Sequence, residues 1–145
     1  MKHDFVLNRF LQRPFEYNKE VELTTEVLQD INIEFALQLK FRQQTDLVGV
    51  QVDLMYTHQQ YKILVYSILL TLQDSMWMDF LKGHPDEKQI REYALPWFEY
   101  AFNFMRGALA ANAINTSVAR LFLPPIDINS CEEFIKIQEI KDDAK

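Results

Sequence analysis

The side chains that most often carry chemistry are few in this sequence and lie far apart. The three histidines, His3, His58 and His84, fall at a terminus, in a polar turn and in a loop. None of them has a Cys, Asp or Glu at the spacing that metal ligands show. We therefore interpret all three as solvated side chains, and we predict neither a metal site nor a histidine base.

A cysteine nucleophile is the next candidate chemistry. Cys131 stands at the start of a predicted helix, where a helix N-terminus lowers a thiol pKa, but no base is placed beside it. As the single cysteine it excludes an internal disulfide, which favours a reducing, cytoplasmic compartment. Only three glycines occur, well separated, so the sequence has no glycine-rich phosphate loop. We predict that the chain is not an enzyme and has no cofactor.

Length and composition bound the remaining classes. The chain has 145 residues, 48% of them hydrophobic, and a formal charge of −6, which is typical of one folded domain over residues 1–145. No Lys/Arg cluster exceeds a pair, which argues against nucleic acid as a partner. The longest apolar run, from Ile63, is about half the length that a bilayer requires, and the first residues lack a signal-peptide pattern. We therefore expect a cytoplasmic protein without membrane insertion.

Strand patterns dominate the first half of the sequence. Residues 31–41 and 47–58 alternate apolar and polar side chains, and residues 61–72 follow after a short polar turn. Short connections between three strands indicate an antiparallel meander. A further strand is possible at DFVLNRFL near the amino terminus, where Pro14 either breaks it or confines it to an edge of the sheet, and EVELTTEV also alternates.

Residues 61–72 differ from the other strands because they are apolar on both faces. Val65 and Leu69 belong to one face, and Tyr66 and Leu70 belong to the other. A small antiparallel sheet usually keeps one face in water. Self-association is the simplest way to cover the second face, so we expect a homo-oligomer.

Helix patterns dominate the second half. A short helix is expected to end before Pro96, and a long helix, apolar on most sides, then covers residues 97–114. Ser130 and Glu133 fit a capping box that opens a last helix through about Ile140.

The order of strands followed by helices predicts an α+β fold. Residues 1–82 would supply a four-stranded antiparallel, meander-like sheet. Residues 83–140 would supply the long helix and a short C-terminal helix on one face, and residues 141–145 a frayed tail.

One family pattern covers roughly residues 4–135. Its clearest stretch is ALPWFEYAFNFMRGALAANAINTSVARLFLPPIDINSCEEF, with Leu95–Pro96 entering the long helix, Leu123–Pro124–Pro125–Ile126–Asp127 after a crossover, and Phe134 in the last helix. This stretch resembles the export chaperone SecB and its SecB-like relatives. The segment FVLNRFLQRPFE is similar to the first strand of that family.

The resemblance implies a SecB-like fold assembled as a dimer of dimers. It also implies a chaperone that holds unfolded polypeptides in apolar surface grooves without ATP and passes them to the SecA motor, or protects an antitoxin. Classical members carry an acidic SecA-docking residue in the strand that matches residues 61–72, and this sequence has no carboxylate there. Glu16 is the remaining candidate for motor docking. A SecB-like chaperone is therefore favoured over a dedicated export factor.

Aromatic and methionine side chains are the candidates for client binding, because flat and adaptable apolar surfaces tolerate many sequences. These candidates are Tyr56, Tyr66, Met76, Trp77, Met78 and Phe80. The alternative interpretation places them in the core or in an oligomer interface.

Three functions remain open from the sequence. The first is an ATP-independent holdase for unfolded polypeptides. The second is a dedicated chaperone or assembly partner for one protein, such as an antitoxin. The third is a binder of small apolar ligands in a cavity between the sheet and the helices.

Overall fold

A computed structural model describes residues 4–141, and its centre is a six-stranded sheet. The strands are β1 (Val6–Gln12), β2 (Glu16–Tyr17), β3 (Asn32–Phe41), β4 (Leu47–His58), β5 (Tyr61–Gln73) and β6 (Ile135–Glu139). The helices are α1 (Thr25–Gln29), α2 (Trp77–Lys82), α3 (Glu87–Ala113) and a 3-10 helix (Ile128–Phe134). The α+β character predicted from the sequence is confirmed.

The three long strands form the expected antiparallel meander. β3 pairs with β4 over its whole length, and β4 pairs with β5 from Leu47 to His58. The β4–β5 turn is made by Gln59 and Gln60, whose φ angles are 49° and 74°. Two consecutive left-handed residues give the turn a twist that matches the flanking strands.

The outer strands extend the meander to six strands instead of the predicted four. The sheet order is β1-β5-β4-β3-β6, with β2 also paired to β5. β1 and β2 run antiparallel to β5, whereas β6 lies parallel to β3. The N-terminal strand is thus at an edge, which is one of the two outcomes expected from Pro14.

The C-terminal segment corrects the prediction of a helix from Ser130 to about Ile140. Asp127 caps a 3-10 helix there: its side chain accepts a hydrogen bond from the Asn129 backbone N–H at 3.1 Å. The Ser130 hydroxyl donates to the Asp127 carbonyl oxygen instead of capping Glu133. Ile135 and Ile137 then alternate with polar residues, and the free edge of β3 pairs with them as β6. Pairing with the free edge of β3 therefore gives residues 135–139 the conformation of a strand instead of the predicted helix.

The boundaries inside each half also differ from the prediction. Pro96 lies within one continuous helix, which begins at a capping box formed by Asp86 and Gln89 and runs through to Ala113. Two short helices, α1 and α2, fall inside the predicted strand region 1–82, and β6 falls inside the predicted helical region 83–140. Residues 142–145 of the predicted tail lie outside the described residues.

Helix α3 covers one face of the sheet and forms the core with it. The core side chains of the sheet include Leu39, Val50 and Leu70, which are fully buried. Phe104 of α3 contacts Phe10 with a ring-centroid distance of 4.6 Å. Within residues 4–141, no helix is at once long enough and apolar enough to cross a bilayer.

Candidate functional site

The opposite face of the sheet carries the second apolar face of β5. Val65 and Leu69 are half-buried there, and Ser67 between them is 7% exposed. On the neighbouring strand β4, Gln51 lies opposite Leu69 and Asp53 lies opposite Ser67. The open face therefore mixes apolar and polar side chains along β5.

A kink in the edge strand bounds this face. Gln12 at the end of β1 pairs with Ile68, and Glu16 at the start of β2 pairs with Val65. Three residues, 13–15, thus lie opposite two residues of β5, which is the geometry of a bulge. Pro14 has no N–H to donate, and the Arg13 N–H donates to the Ser67 carbonyl oxygen at 3.1 Å. The edge therefore bends away from β5 at this point.

Two depressions meet beside the kink and form what we call the β5 groove. One has a volume of about 440 Å³ and the other about 340 Å³. Arg13, Gln51 and Ser67 line both depressions, so the two are continuous. The apolar lining residues of the groove are Leu11, Pro14, Val65, Tyr66, Ile68 and Leu69, and its charged lining residues are Arg13, Glu16, Lys40 and Asp53.

The carboxylates of the groove are accessible to a cationic group. Gln51 Nε2 donates to both carboxylate oxygens of Asp53 at 3.2 Å, which fixes the orientation of that carboxylate. Glu16 is exposed at the other side of the kink. Among residues 4–141, neither carboxylate forms an ion pair with a cationic side chain. The groove thus offers apolar contact, hydrogen-bonding groups and charges of both signs.

The residues considered for catalysis lie apart from the groove. His58 Nε2 is 3.3 Å from a carboxylate oxygen of Asp30, near the β4–β5 turn. His84 is in an exposed loop, and His3 lies outside the described residues. Cys131 is buried, and burial raises the pKa of its thiol, opposed by a hydrogen bond with Ser130. Within residues 4–141, no three His, Cys, Asp or Glu side chains form a metal-binding group.

Two tyrosines proposed for client binding are buried instead. Tyr56 donates to the Phe122 carbonyl oxygen at 2.9 Å, and Tyr66 donates to Gln12 Oε1. Asn112 Nδ2 also donates to the Tyr66 hydroxyl at 3.3 Å. Burial raises the pKa of both tyrosines, to about 12 for Tyr56. The nearby Arg106 opposes this shift at Tyr56, and the Asn112 hydrogen bond opposes it at Tyr66.

The other four predicted client-binding residues lie on and before α2. Trp77 is fully buried, whereas Met76 is 52% exposed. Met78 and Phe80 are half-buried. Of the six predicted residues, Tyr66 alone borders the β5 groove as the structure describes it, together with the predicted docking residue Glu16.

Sequence reasoning missed most of the groove but contained a signal for it. The second apolar face of residues 61–72 supplied Val65 and Leu69, which were not assigned to a site. Leu11, Gln51 and Asp53 join them only through strand pairing. The pairing of β1 with β5 spans about sixty residues of chain, and no local pattern predicts it.

Comparison with known proteins assigns no family to the chain. No family model matches the sequence, and no curated protein matches it. A solved structure of a protein of unknown function from Streptococcus agalactiae is similar over 86% of this chain and 100% of that chain. The sequence identity is 9% and the TM-score is 0.35.

Proposed function

We propose that the chain is a non-catalytic binding protein, an ATP-independent holdase of SecB-like type that keeps non-native polypeptides in the β5 groove. The observation that carries this proposal is the composition of the groove. Leu11 is 44% exposed, and Val65 and Leu69 are half-buried beside Gln51 and Ser67. A contiguous apolar patch bordered by polar residues is typical of a contact surface, so the grouping of these side chains supports a role in binding.

The dimensions of the groove suit a short extended segment. From Val65 to Leu69 the groove follows β5 for about 13 Å, the length of roughly four extended residues. Apolar contact beside adaptable amide and hydroxyl groups accepts many sequences. The formal charge of −6 favours segments with basic residues, which Asp53 and Glu16 can contact, while Arg13 and Lys40 can contact acidic residues of the same segment.

Self-association is part of the proposal. Large apolar side chains outside the groove are also exposed: Val6, Leu7, Tyr61, Met76, Ile114, Phe122 and Phe134. Burying such residues between copies stabilises an oligomer. We propose a dimer of dimers, for which native mass spectrometry would give four chains per particle; a monomer at micromolar concentration would refute this part.

A handover partner such as SecA would dock at the groove edge in this proposal. Glu16 is exposed at the start of β2 and can contact a basic segment of such a motor. Glu16→Gln should weaken motor binding more strongly than it weakens the suppression of client aggregation, which also depends on Leu69 and the other groove side chains. Unchanged motor binding would remove Glu16 from the docking role.

The holdase is tested by light scattering of a denatured, aggregation-prone protein diluted into buffer without nucleotide. The wild-type chain should suppress the scattering, and Leu69→Gln in the groove should suppress it several-fold less. Tyr61→Gln is the matched control, because Tyr61 is 70% exposed and lies outside the groove lining. If the client scatters as strongly with the wild-type chain as without it, and the chain is shown to be folded in the same sample, the holdase proposal is refuted.

A further inference from the structure

Helix α2 joins the end of β5 to α3, and its buried anchors to the core are Trp77 and Leu81, with Phe80 packed beside them. Trp77 is fully buried and Leu81 is 6% exposed, whereas Met76, Asp79 and Lys82 are exposed. The helix has only six residues, and its N-cap residue, Met76, makes no side-chain capping hydrogen bond. A helix this short has little stability of its own and depends on the packing of its anchors.

The Trp77 ring fills a pocket made of aromatic side chains from elsewhere in the chain. Its centroid lies 5.1 Å from Trp97, 5.3 Å from Phe41 and 5.5 Å from Tyr93. Beside it, Phe80 of the same helix stacks on Tyr93 at 4.2 Å. Edge-to-face and stacked contacts of this kind depend on ring geometry, so another aromatic ring can replace the ring of Trp77.

Among the described residues, hydrogen bonds link α2 to the rest of the fold through Asp74, whose carboxylate accepts from the Met76 N–H at 2.9 Å and from the Tyr93 hydroxyl of α3 at 3.3 Å. The other hydrogen bonds of residues 76–84 within the described part of the chain stay local, such as the one that the His84 N–H donates to the Leu81 carbonyl oxygen at 3.0 Å. The ion pair between Lys82 and Asp79 is also inside the helix. Within residues 4–141, movement of residues 77–82 would therefore break no direct hydrogen bond to the sheet or to α3.

The indole N–H of Trp77 lowers the cost of release. Its Nε1 atom is buried and has no hydrogen-bond partner among residues 4–141. A buried donor without a partner is destabilising, and water satisfies it once the ring is exposed. The chain beyond the helix can follow the movement, because Gly83 ends the helix and His84 adopts a left-handed turn with φ of 52° before Pro85.

We infer that α2 is a built-in occupant of an aromatic binding pocket, and that an aromatic side chain of a client displaces Trp77 from Phe41, Tyr93 and Trp97. This inference rests on the proposed holdase function and adds the substrate class: non-native segments with an exposed Trp, Phe or Tyr. Displacement also exposes Trp77, Met78 and Phe80, which then contact the same client. Trp77 thus becomes available only in the open state, and Met78 and Phe80 become more exposed there.

Hydrogen exchange of the full chain without any client is the first test. The amides of residues 77–82 should exchange at least about tenfold faster than those of residues 97–102 in α3, because α2 opens locally. Leu81→Ala should speed the exchange of α2 further, and Lys82→Ala is the control that should not. Equal protection of α2 and α3 would overturn the inference whether or not the chain is a holdase.

Addition of an aromatic ligand is the second test, with N-acetyltryptophanamide as the small probe and a permanently unfolded protein as the client. Both should speed exchange at residues 77–82 and leave residues 97–102 protected. A client that binds while α2 stays protected overturns the inference and leaves the holdase intact. If the small probe speeds exchange at residues 77–82 but the chain captures no client, the holdase is refuted and the aromatic binding pocket is supported. No change with either ligand overturns the inference.

Discussion

The hydroxyl of Tyr56 on β4 donates a hydrogen bond to the backbone carbonyl oxygen of Phe122 at 2.9 Å and joins the sheet to the segment after α3. Arg106 of α3 holds the next residues of that segment, with bonds to the carbonyl oxygens of Leu123 and Pro124 at 3.0 and 3.1 Å. The backbone of residues 122–124 is thus bonded to both the sheet and α3, while the Phe122 side chain remains 68% exposed. The crossover presents an apolar side chain on a rigid support.

Loss of the Tyr56 hydroxyl should lower the free energy of unfolding. Tyr56→Phe removes the donor and leaves the Phe122 carbonyl oxygen without this bond, which should cost about 1 kcal/mol. Urea unfolding followed by circular dichroism measures the change. Tyr61→Phe, at a 70% exposed position, is the control and should match the wild type. Equal stability of the two variants would show that the bond contributes nothing.

The same residue predicts a dependence of stability on alkaline pH. Burial raises the pKa of Tyr56 from 10.0 to about 12, with Arg106 opposing the shift. Below pH 10 the Tyr56 hydroxyl is protonated in both the folded and the unfolded state, so its contribution to the free energy of unfolding is fully present. Above pH 10 the Tyr56 hydroxyl loses its proton in the unfolded state before it does so in the folded state, which favours unfolding. The free energy of unfolding should therefore fall from pH 10 to about pH 12, and less steeply in Tyr56→Phe. If the free energy of unfolding falls equally steeply with pH in the wild type and in Tyr56→Phe, the raised pKa of Tyr56 is contradicted.

The β4–β5 turn is strained because Gln59 and Gln60 both have positive φ angles. Glycine adopts such angles without a steric cost, so Gln60→Gly should raise the free energy of unfolding by about 1 kcal/mol. Gln44→Gly in the β3–β4 turn is a control with the same residue types, since the Gln44 φ angle is not positive. Thermal unfolding should show a higher midpoint for the first variant only. A lower midpoint for Gln60→Gly would mean that the turn is not strained.

Truncation of each of the two tryptophans should show that α2 contributes less to the free energy of unfolding than α3 does. Both rings are fully buried, and removal of a large buried aromatic side chain typically costs about 3–5 kcal/mol. Trp97→Ala should lose that much stability. Trp77→Ala should lose clearly less, because α2 can detach while the sheet and α3 stay folded. Equal losses in urea unfolding would show that α2 and α3 unfold as one unit.

The parts of the fold that local patterns dictate were predictable. Alternation along residues 31–41 and 47–58 identified β3 and β4, and the apolar residues after Pro96 identified α3. Parts decided by long-range pairing were not. Residues 135–139 became a strand because β3 offered a free edge, although Ser130 and Glu133 resemble a helix start.

The candidate site shows the same division. Val65 and Leu69 were visible as a second apolar face of one strand, but their neighbours Leu11 and Asp53 come from other strands. The aromatic residues were prominent in the sequence, yet Tyr56 and Trp77 are buried inside the chain. Residue type indicates that a side chain prefers apolar contact, whereas packing determines whether its own chain supplies that contact.

Photocrosslinking in the β5 groove tests the central claim most directly. A photoreactive benzoylphenylalanine in place of Leu11, which is 44% exposed in the groove, should crosslink to a permanently unfolded client without nucleotide. The same group in place of Tyr61, outside the groove lining, should give little product. Strong crosslinks at position 11 alone are the predicted result. No crosslink at position 11, or equal yields at both positions, would contradict client binding in the groove.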